Sequence, residues 1–495
     1  MQYVVKMGKV YLIGGGPGDE SLITLRAIEV LEKCTAVMYD RLAGEKYLKY
    51  LDESCQIYYC GKEPGAHYKS QDEINEMLVK LAKKGHTIAR IKGGDPYVFG
   101  RGGEEALILS EEEIPFEVIP GVTSAIAVLN YAGIPITHRG IAQSFHVFTG
   151  TSADKLNTNW ESVAGLEGTL VFLMGLRNLE DIIERLIKHG KNEDTPCAVI
   201  MKGTTSKQKK AIGRLNTIAN IVKERNFTSP CIIVVGQVVE FSDRLNWYED
   251  KPLFGKNICI TRTKKQSGDL RRQLLDLGAE VTQINSIEIK ADSKKLDPYV
   301  KKFDKYDYIV FTSVNSVEIF FNYLIENKID VRTIKGEFAA IGPATLKAIS
   351  SYGIVTTILA RHFVAEDLFI ELKNKVTKGD KILLPTSAMA RSYLKDNLEK
   401  CGAMVDRVDI YRPEIGQARE DFDSTDIVLF TSPSTFNNMV EIVGLDKIKE
   451  KTLLAIGPIT EKEIVKHGIK PYVCQEYSTN AMVNKLIDLS NKKEI

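Results

Sequence analysis

Two glycine-rich segments in the first half of the chain have the composition of ligand-binding loops. The first, Gly14-Gly-Gly-Pro-Gly18, follows the apolar run Val10–Ile13 and precedes Asp19. Glycines there let the backbone approach a ligand closely, as nucleotide-like ligands require. The segment lacks the Gly-Lys-Ser/Thr of a phosphate-binding loop, and Asp19 stands where G-x-G-x-x-G needs glycine. Taken alone, it is equally well explained as a tight turn.

The second segment is more specific. Residues 92–105, KGGDPYVFGRGGEE, hold five glycines and a proline, which excludes a helix or strand interior over most of their length. Val98 and Phe99 are apolar, unlike the side chains of an ordinary solvent loop, and suit the wall of a ligand site. A third element follows, with PGVTSA at 120–125 and GIPITHRG at 133–140. Its Thr123 and Ser124 are suited either to capping a helix or to holding polar groups of a ligand.

The second half repeats hydroxyl-bearing motifs at the predicted starts of helices. Phe-Thr-Ser occurs at 311–313 and 430–432, and Ile-Gly-Pro-x-Thr occurs at 341–345 and 456–460. Hydroxyls and free N–H groups at helix starts form anion sites, although simple capping explains each motif taken alone. Four such sites in two facing lobes would suit a ligand that carries many carboxylates.

The elements that must position these loops are alternating strands and helices. Short apolar runs separated by helical patterns predict the α/β class. The predicted strands are Val10–Ile13, Thr87–Ile91, Phe145–Thr149, Thr169–Met174, Ala198–Met201, Cys231–Val235 and Asn257–Thr261.

An internal repeat divides the second half into two similar lobes. Residues 307–313 match 426–432, residues 340–345 match 455–460, and 270–281 match 394–405, with all three offsets between 115 and 124 residues. The first 250 residues lack this repeat. Pro, Gly and charged residues around 247–255 place a domain junction near 250.

Bulk composition excludes several classes of protein. The chain has 495 residues, which predicts two to four domains, with 44% hydrophobic and 26% charged residues and a net charge of +1. This balance gives no basis for nucleic acid or membrane binding. Eight scattered cysteines without a C-x-x-C pair, and no signal-like N-terminus, predict reduced thiols in a cytoplasmic protein. The seven histidines lack ligand spacing, so no metal site is predicted.

The motifs GGGPGD, YDRL (39–42), KGGDPYVFGRGGEE, PGVTSA, GIPITHRG and LMG (173–175) resemble the uroporphyrinogen-III C-methyltransferases of the tetrapyrrole methylase superfamily. The resemblance covers about residues 8–245. It implies two α/β subdomains with S-adenosylmethionine (SAM) in the cleft between them, usually in a homodimer. It also implies methylation of uroporphyrinogen III at C2 and C7 to give precorrin-2, a precursor of sirohaem and cobalamin, without a metal.

The resemblance assigns residues. Asp40 matches the family's proposed proton acceptor and Lys62 its proposed proton donor. The positions that match the family's SAM contacts are Pro17, Gly93, Gly94, Asp95, Val98, Thr123, Ser124, Met174 and Gly203. Because the substrate carries eight carboxylates, basic side chains near these motifs are candidate anchors, with arginines favoured for bidentate binding. These candidates are Arg101, Arg139, Lys62, Lys92 and His67.

Residues 255–495 resemble uroporphyrinogen-III synthase through the repeated motifs, Thr261-Arg262 and Tyr411-Arg412-Pro413. The resemblance implies two flavodoxin-like lobes joined by a two-stranded hinge, one lobe from 255–290 plus 415–495 and the other from 291–412. The reaction closes linear hydroxymethylbilane with inversion of ring D. Tyr411 matches a tyrosine suspected of assisting loss of the hydroxyl group. The candidate substrate contacts are Thr312, Ser313, Ser432, Ser434 and Thr460.

The sequence therefore predicts a bifunctional enzyme, with a methyltransferase in 1–250 and a synthase in 255–495, each able to fold alone. Two alternatives remain. The second half would be a non-catalytic tetrapyrrole-binding module that regulates the first, or the methyltransferase would act on a later corrin intermediate, as other superfamily members do.

Overall fold

The structure, a computed structural model, describes residues 7–40, 45–52, 54–61, 70–150, 158–262, 264–361, 364–418 and 420–495. Within these ranges the strands form three five-stranded sheets and one six-stranded sheet, with helices packed against them. The predicted α/β class is confirmed. None of the described helices is both long and apolar enough to cross a bilayer.

The first sheet is entirely parallel, in the order β3-β2-β4-β1-β5. Its strands are β1 (Lys9–Gly14), β2 (Ala36–Tyr39), β3 (Gln56–Tyr59), β4 (Thr87–Lys92) and β5 (Phe116–Ile119). Its helices are α1 (Leu25–Leu31), α2 (Gln71–Lys83), α3 (Gly102–Glu111) and α4 (Ser124–Tyr131), with 3₁₀ turns at Glu20–Leu22 and Glu45–Tyr50. Because all the strands are parallel, the loops after β1, β2 and β4 emerge at one edge of the sheet.

The second sheet has the order β6-β7-β10-β8-β9. Its strands are β6 (Phe145–Thr149), β7 (Thr169–Leu173), β8 (Pro196–Met201), β9 (Lys209–Arg214) and β10 (Cys231–Val235). Its helices are α5 (Trp160–Gly165), α6 (Leu179–Lys188) and α7 (Ile218–Glu224), with 3₁₀ turns at Leu176–Asn178 and Gln237–Phe241. Strands β7, β8 and β10 are buried along their whole length, which is why they appear as unbroken apolar runs.

Residues beyond 256 form the other two sheets. The strands are β11 (Asn257–Ile260), β12 (Glu280–Gln283), β13 (Ile287–Ala291), β14 (Tyr308–Phe311), β15 (Glu337–Ala340), β16 (Ile358–Leu359), β17 (Lys381–Ser387), β18 (Met404–Ile415), β19 (Ile427–Phe430), β20 (Thr452–Ala455) and β21 (Tyr472–Val473). The helices are α8 (Lys264–Asp276), α9 (Val314–Glu326), α10 (Pro343–Ser350), α11 (Ala365–Lys373), α12 (Tyr393–Lys400), α13 (Pro433–Val443), α14 (Leu445–Lys449), α15 (Pro458–Lys466) and α16 (Thr479–Asn491), with 3₁₀ segments at Ser293–Lys305 and Val331–Thr333.

These strands sort into two lobes. One sheet has the order β12-β11-β19-β20-β21 and the other β13-β18-β17-β14-β15-β16, so the first lobe is built from both ends of this half. The lobes are joined by two connections at 283–287 and 415–427. β13 pairs antiparallel with the end of β18, with Ala291 opposite Tyr411. The hydrogen-bonded second-lobe sheet therefore begins at Ile287, four residues before the predicted lobe boundary.

Close backbone contact holds the two connections together. An added Cβ at Gly416 would lie 1.8 Å from the carbonyl oxygen of Asn285, so only glycine fits at this crossing. The Gly416 N–H donates to the Ser286 carbonyl, and the Ser286 hydroxyl donates to the Thr261 carbonyl.

The segment between the halves is packed rather than free. Tyr248 is buried and its ring contacts those of Tyr131 and Phe254, while Trp247 donates from its indole N–H to the Asn130 carbonyl. Leu253 is buried in the core of the first lobe. The join is therefore part of the cores on both of its sides.

Candidate active sites

The glycine-rich turn after β1 and the loop after β4 are bonded backbone to backbone. Gly14 lies opposite Lys92 in the sheet register. Beyond that point Gly15 donates to the Lys92 carbonyl, and Gly16 and Gly94 exchange N–H···O=C bonds of 3.1 and 2.8 Å. Gly16 and Gly94 both have positive φ, a conformation that favours glycine. This pairing brings the loop of Pro17 against Gly93, Gly94 and Asp95.

The loop before α4 completes a three-loop junction. A Cβ on Gly121 would lie 2.3 Å from the Gly94 carbonyl oxygen and 2.7 Å from Gly14, so the three backbones touch. The Asp95 carboxylate accepts from the Gly121 N–H at 3.1 Å. Thr123 is the N-cap of α4 and accepts from the Ala125 N–H. Thr123 and Ser124 thus lie beside Gly94, as the sequence predicts for a common site.

The second sheet contributes the loop after β8. A Cβ on Gly203 would lie 2.3 Å from a methyl carbon of Val128 on α4, and one on Gly18 would lie 2.6 Å from the Thr204 hydroxyl. The Asp19 N–H donates to that same hydroxyl at 3.0 Å. Gly203 is therefore part of the same junction, packed between α4 and the first glycine-rich turn.

Met174 and Val98 lie on loops of different sheets. Met174 has a left-handed backbone (φ 57°), which ends β7 one residue earlier than predicted, and its side chain is 50% exposed. A positive φ is strained for methionine, and such strain concentrates at functional sites. Val98 and Phe99 are also exposed, and Phe99 shares the positive φ. These exposed apolar side chains have the character predicted for a ligand wall.

Asp40 follows β2 at the same edge of the first sheet. Its carboxylate lies 3.6 Å from the Arg90 guanidinium, and its side chain is 29% exposed. Arg90 is buried on β4 and donates from Nε to Glu105 at 3.2 Å. Lys92 is also buried and donates to the same Glu105 oxygen at 2.7 Å. Asp40 thus stands at the open end of a buried charge cluster, accessible enough to exchange a proton.

One carboxylate serves two cations in this cluster. Burial raises the pKa of Glu105, but Arg90 and Lys92 outweigh burial and hold it below its usual value. Burial lowers the pKa of Lys92, and the neighbouring Arg90 lowers it further, against the opposing effect of Glu105. The two pKa shifts are consistent with each other, because Glu105 has two positive partners, whereas Lys92 has one negative partner and one positive neighbour. Lys92 is therefore not the solvent-facing anchor that the sequence predicts.

The other predicted anchors differ in setting. Arg101 is exposed at the start of α3, with a positive φ, and forms an ion pair with Glu104 at 2.6 Å. Arg139 is exposed in the loop before β6. Lys62, the predicted proton donor, and His67 lie outside the described residues.

In the second half, Tyr411 meets the first hydroxyl motif. Its OH is 2.9 Å from the Ser313 hydroxyl, and Ser313 is the N-cap of α9, accepting from the Ser316 N–H. The Thr312 hydroxyl is 3.0 Å from that of Thr386 at the end of β17. Tyr411, Thr312, Ser313 and Thr386 therefore form a hydroxyl cluster at the carboxyl ends of the second lobe's central strands.

The corresponding motif in the first lobe is separate. Ser432 caps α13 in a capping box with Thr435, and its hydroxyl is 2.9 Å from that of Ser434. Thr460 is only 3% exposed, as is its repeat partner Thr345. Thr460 therefore lies on the buried side of the start of α15, whereas Pro458 and Ile459 face solvent, and its contact with substrate stays a prediction.

Arg90, Glu105 and Thr386 were not predicted from the sequence. Arg90 had a usable signal, because a charge inside the strand pattern Thr87–Lys92 is buried only with a partner. Glu105 lies in the quoted GGEE motif, but nothing in its spacing reveals two cationic partners. Thr386 belongs to neither copy of the repeat.

Comparison with known proteins gives matches in both halves. Residues 9–219 match the family model "Tetrapyrrole (Corrin/Porphyrin) Methylases", and residues 268–484 match "Uroporphyrinogen-III synthase HemD". The "Porphyrin biosynthesis protein HemD" of Ruminiclostridium josui is 34% identical over 494 residues, 97% of this chain and 98% of that protein. The "S-adenosyl-L-methionine-dependent uroporphyrinogen III methyltransferase" of Methanosarcina barkeri is 48% identical and covers 48% of this chain and 94% of its own. The "Uroporphyrinogen-III C-methyltransferase" of Priestia megaterium is also 48% identical, covering 48% of this chain and all of its own.

Proposed function

Because this chain belongs to the proteins that join a tetrapyrrole methylase to a uroporphyrinogen-III synthase, we propose that it carries out two consecutive steps of tetrapyrrole synthesis. The second half closes hydroxymethylbilane to uroporphyrinogen III with inversion of ring D. The first half methylates that product at C2 and C7 to give precorrin-2. The two-domain division at about 250–255 is part of this proposal. So are the two lobes predicted at 255–290 with 415–495 and at 291–412, with the second extended to 287–415 to include all of β13 and β18.

The proposed methyl donor is SAM, held at the three-loop junction of the first half. The fit rests on glycine backbones so close that a Cβ at Gly14 or Gly121 would overlap a neighbouring loop. Such a junction offers main-chain N–H and C=O groups in fixed positions to a polar ligand. Pro17, Gly93–Asp95, Thr123, Ser124 and Gly203 would hold the donor, with Val98 and Met174 as apolar contacts. Bound SAM supplies an electrophilic methyl group.

The chain's own task in methylation is alignment and proton removal. Pyrrole carbons of the porphyrinogen are electron-rich, so holding them in line with the donor is mainly a matter of proximity. Asp40 is the proposed acceptor of the proton that the tetrapyrrole releases during or after methyl transfer; C2 and C7 already carry side chains, so this proton comes from another position of the macrocycle. Arg90, 3.6 Å away, fixes its carboxylate from behind. Lys62 is the proposed proton donor, and Arg101 and Arg139 are proposed to bind substrate carboxylates. We propose no metal.

In the synthase half, Tyr411 is proposed to assist loss of the terminal hydroxyl of hydroxymethylbilane. Its OH lies 2.9 Å from the Ser313 hydroxyl, and either group could donate in this hydrogen bond. Thr312, Ser313, Ser432 and Ser434 are proposed to bind carboxylates with the N-terminal N–H groups of α9 and α13. A binding-only role for this half is not favoured, because residues 268–484 match a synthase family model.

The relatives' biosynthetic roles also support a cytoplasmic enzyme that acts on small molecules rather than on nucleic acid or membranes. We further propose a homodimer formed through the methyltransferase half, as the family resemblance implies. The full-length alignment with a porphyrin biosynthesis protein is the observation that carries the proposed function.

Purified protein supplied with hydroxymethylbilane and SAM should give a dimethylated type-III product. Recovery of uroporphyrinogen I alone, the spontaneous product, would reject the synthase assignment. In Asp40→Ala, methylation of supplied uroporphyrinogen III should fall to background while ring closure continues at the wild-type rate. Near-normal methylation by this variant would remove Asp40 from its role.

A further inference from the structure

The first lobe of the synthase half contacts the methyltransferase half directly behind the proposed SAM loops. Arg271 on α8 binds Glu20 bidentately, with Nη2 at 2.7 Å and Nε at 3.1 Å from its two oxygens. Lys49 adds a third bond to Glu20 at 2.7 Å. The three side chains are only 13–20% exposed, so the cluster is largely shielded from solvent.

Glu20 is tied closely to the first glycine-rich turn. It begins the 3₁₀ turn capped by Asp19, two residues after Gly18. Asp19 is held on its other side by the Tyr131 hydroxyl at 2.8 Å and by its own N–H bond to Thr204. A shift of Glu20 therefore moves the end of the turn that contains Pro17.

The synthase end of the cluster is equally anchored. Arg271 also donates from Nη1 to the Val281 carbonyl of β12 at 3.2 Å. Glu420, on the connection that returns from the second lobe, accepts from the Gln283 N–H at 2.7 Å and lies in the field of Arg271 and Lys49. Burial raises the pKa of Glu20, but Arg271 and Lys49 outweigh burial and hold it below its usual value, so the carboxyl remains ionised at neutral pH.

A second contact reaches the other SAM loop independently. The Ser206 hydroxyl donates to the Glu280 carboxylate of β12 at 2.8 Å. Ser206 lies three residues after Gly203, in the loop that packs against Gly18. The same synthase lobe therefore holds both loops from behind, one through α8 and one through β12.

We propose that Arg271, a residue of the synthase half, is a positioning residue for SAM binding in the methyltransferase half, acting through Glu20, with Glu280 as a weaker second support. The inference rests on the proposed function of the first half. It makes SAM affinity depend on the fusion partner, without any contact between Arg271 and SAM itself.

The test uses the full-length protein. Arg271→Met removes the charge and the bidentate bond, and Arg271→Lys restores the charge. In Arg271→Met, the Kd for S-adenosylhomocysteine by calorimetry and the KM for SAM should both rise about fivefold or more, the lower end of ordinary coupling between sites. The kcat for methylation and the rate of ring closure should stay near wild type. Arg271→Lys should recover most of the affinity, and adding Glu280→Ala to Arg271→Met should weaken binding further.

Arg407→Met is the matched control. Arg407 is similarly shielded, at 16% exposure against 15% for Arg271, and forms a comparable 2.8 Å ion pair with Asp409 in the second lobe. It should leave S-adenosylhomocysteine binding unchanged. Wild-type affinity for S-adenosylhomocysteine in Arg271→Met would overturn the inference. So would a lower Tm that reduces the kcat for methylation and the rate of ring closure by the same factor as the affinity. The calorimetric measurement with S-adenosylhomocysteine does not depend on turnover. A failure of the proposed methylation reaction would therefore be detected separately, as a lack of methylation by the wild-type protein.

Discussion

Replacing Gly121 with alanine tests whether the three-loop junction of the first half is what binds SAM. The Cβ that Gly121→Ala adds would stand 2.3 Å from the Gly94 carbonyl oxygen, against 3.4 Å for an ordinary contact. Both neighbours of the new methyl group are backbone, so no side-chain rotation relieves the clash. The loops of Gly14, Gly94 and Gly121 must separate by about 1 Å, and a misplacement of that size costs about 100-fold in a reaction that depends on alignment.

We therefore expect Gly121→Ala to lower kcat/KM for methylation of uroporphyrinogen III about 100-fold. The Kd for S-adenosylhomocysteine should rise in parallel, because the same loops bind it. The assays are steady-state methylation and calorimetric titration. Ring closure by the same molecule serves as an internal measure of folding, and its rate should not change.

Gly103→Ala is the matched control from the neighbouring motif. Gly103 lies inside α3 with nothing within 4 Å of an added Cβ. Alanine there should preserve methylation and stabilise the helix by up to about 1 kcal/mol. Wild-type affinity and turnover in Gly121→Ala would refute the assignment of the junction as the SAM site, whatever the behaviour of Gly103→Ala.

Two further predictions concern the buried cluster and the hinge. Glu105→Gln should reduce the free energy of unfolding by about 3 kcal/mol in urea at pH 7, because Arg90 and Lys92 then stay buried without a counter-charge. Because the folded-state pKa of Glu105 is lowered, its ionised form stabilises the protein above the unfolded carboxyl pKa of about 4.3, and this stabilisation disappears as pH falls through the folded-state pKa. The free energies of unfolding of the wild type and of Glu105→Gln should therefore converge in acid. A difference that persists unchanged in acid would contradict the charge argument. Tyr411→Phe should slow ring closure about tenfold, less than the roughly 100-fold minimum usual for a proton-donating group, because the shape of the cleft supplies much of the selectivity. Methylation of supplied uroporphyrinogen III should stay intact, and an unchanged rate of ring closure would exclude the proposed role.

Periodicity and repetition predicted much of the fold. The seven predicted strands all occur, with ends within two residues of those expected. Thr169–Met174 was one residue too long because Met174 adopts a positive φ, which an apolar pattern does not reveal. The three-part repeat predicted two lobes because each lobe buries the same apolar positions around its own sheet, which is parallel in the first lobe and parallel except for β13 in the second.

The sites were predictable to a different degree. Glycine-rich motifs predicted loops at the edge of the first sheet, since such segments must lie outside regular elements. The resemblance, rather than the spacing, assigned their residues. The burial of Thr460 was not predictable from its motif, because adjacent positions of a helix face different directions. Arg271 was not identified because its partner is 251 positions away, and no local pattern reports such a contact.

The buried segment at 247–255 affects how the chain can be cleaved or divided into its two enzymes. A flexible linker between two enzymes is where proteases cut first and where a gene can be divided freely. Here Tyr248 and Leu253 are inaccessible, so limited proteolysis should spare residues 247–255 while the native protein persists. Separating the enzymes at 250 would leave Tyr248 with Tyr131 and Leu253 with its own lobe. It would remove Phe254 from the Tyr248 ring and break the bonds from Arg271 to Glu20 and from Ser206 to Glu280. Active separate fragments therefore need polar substitutions at the apolar residues that the cut exposes.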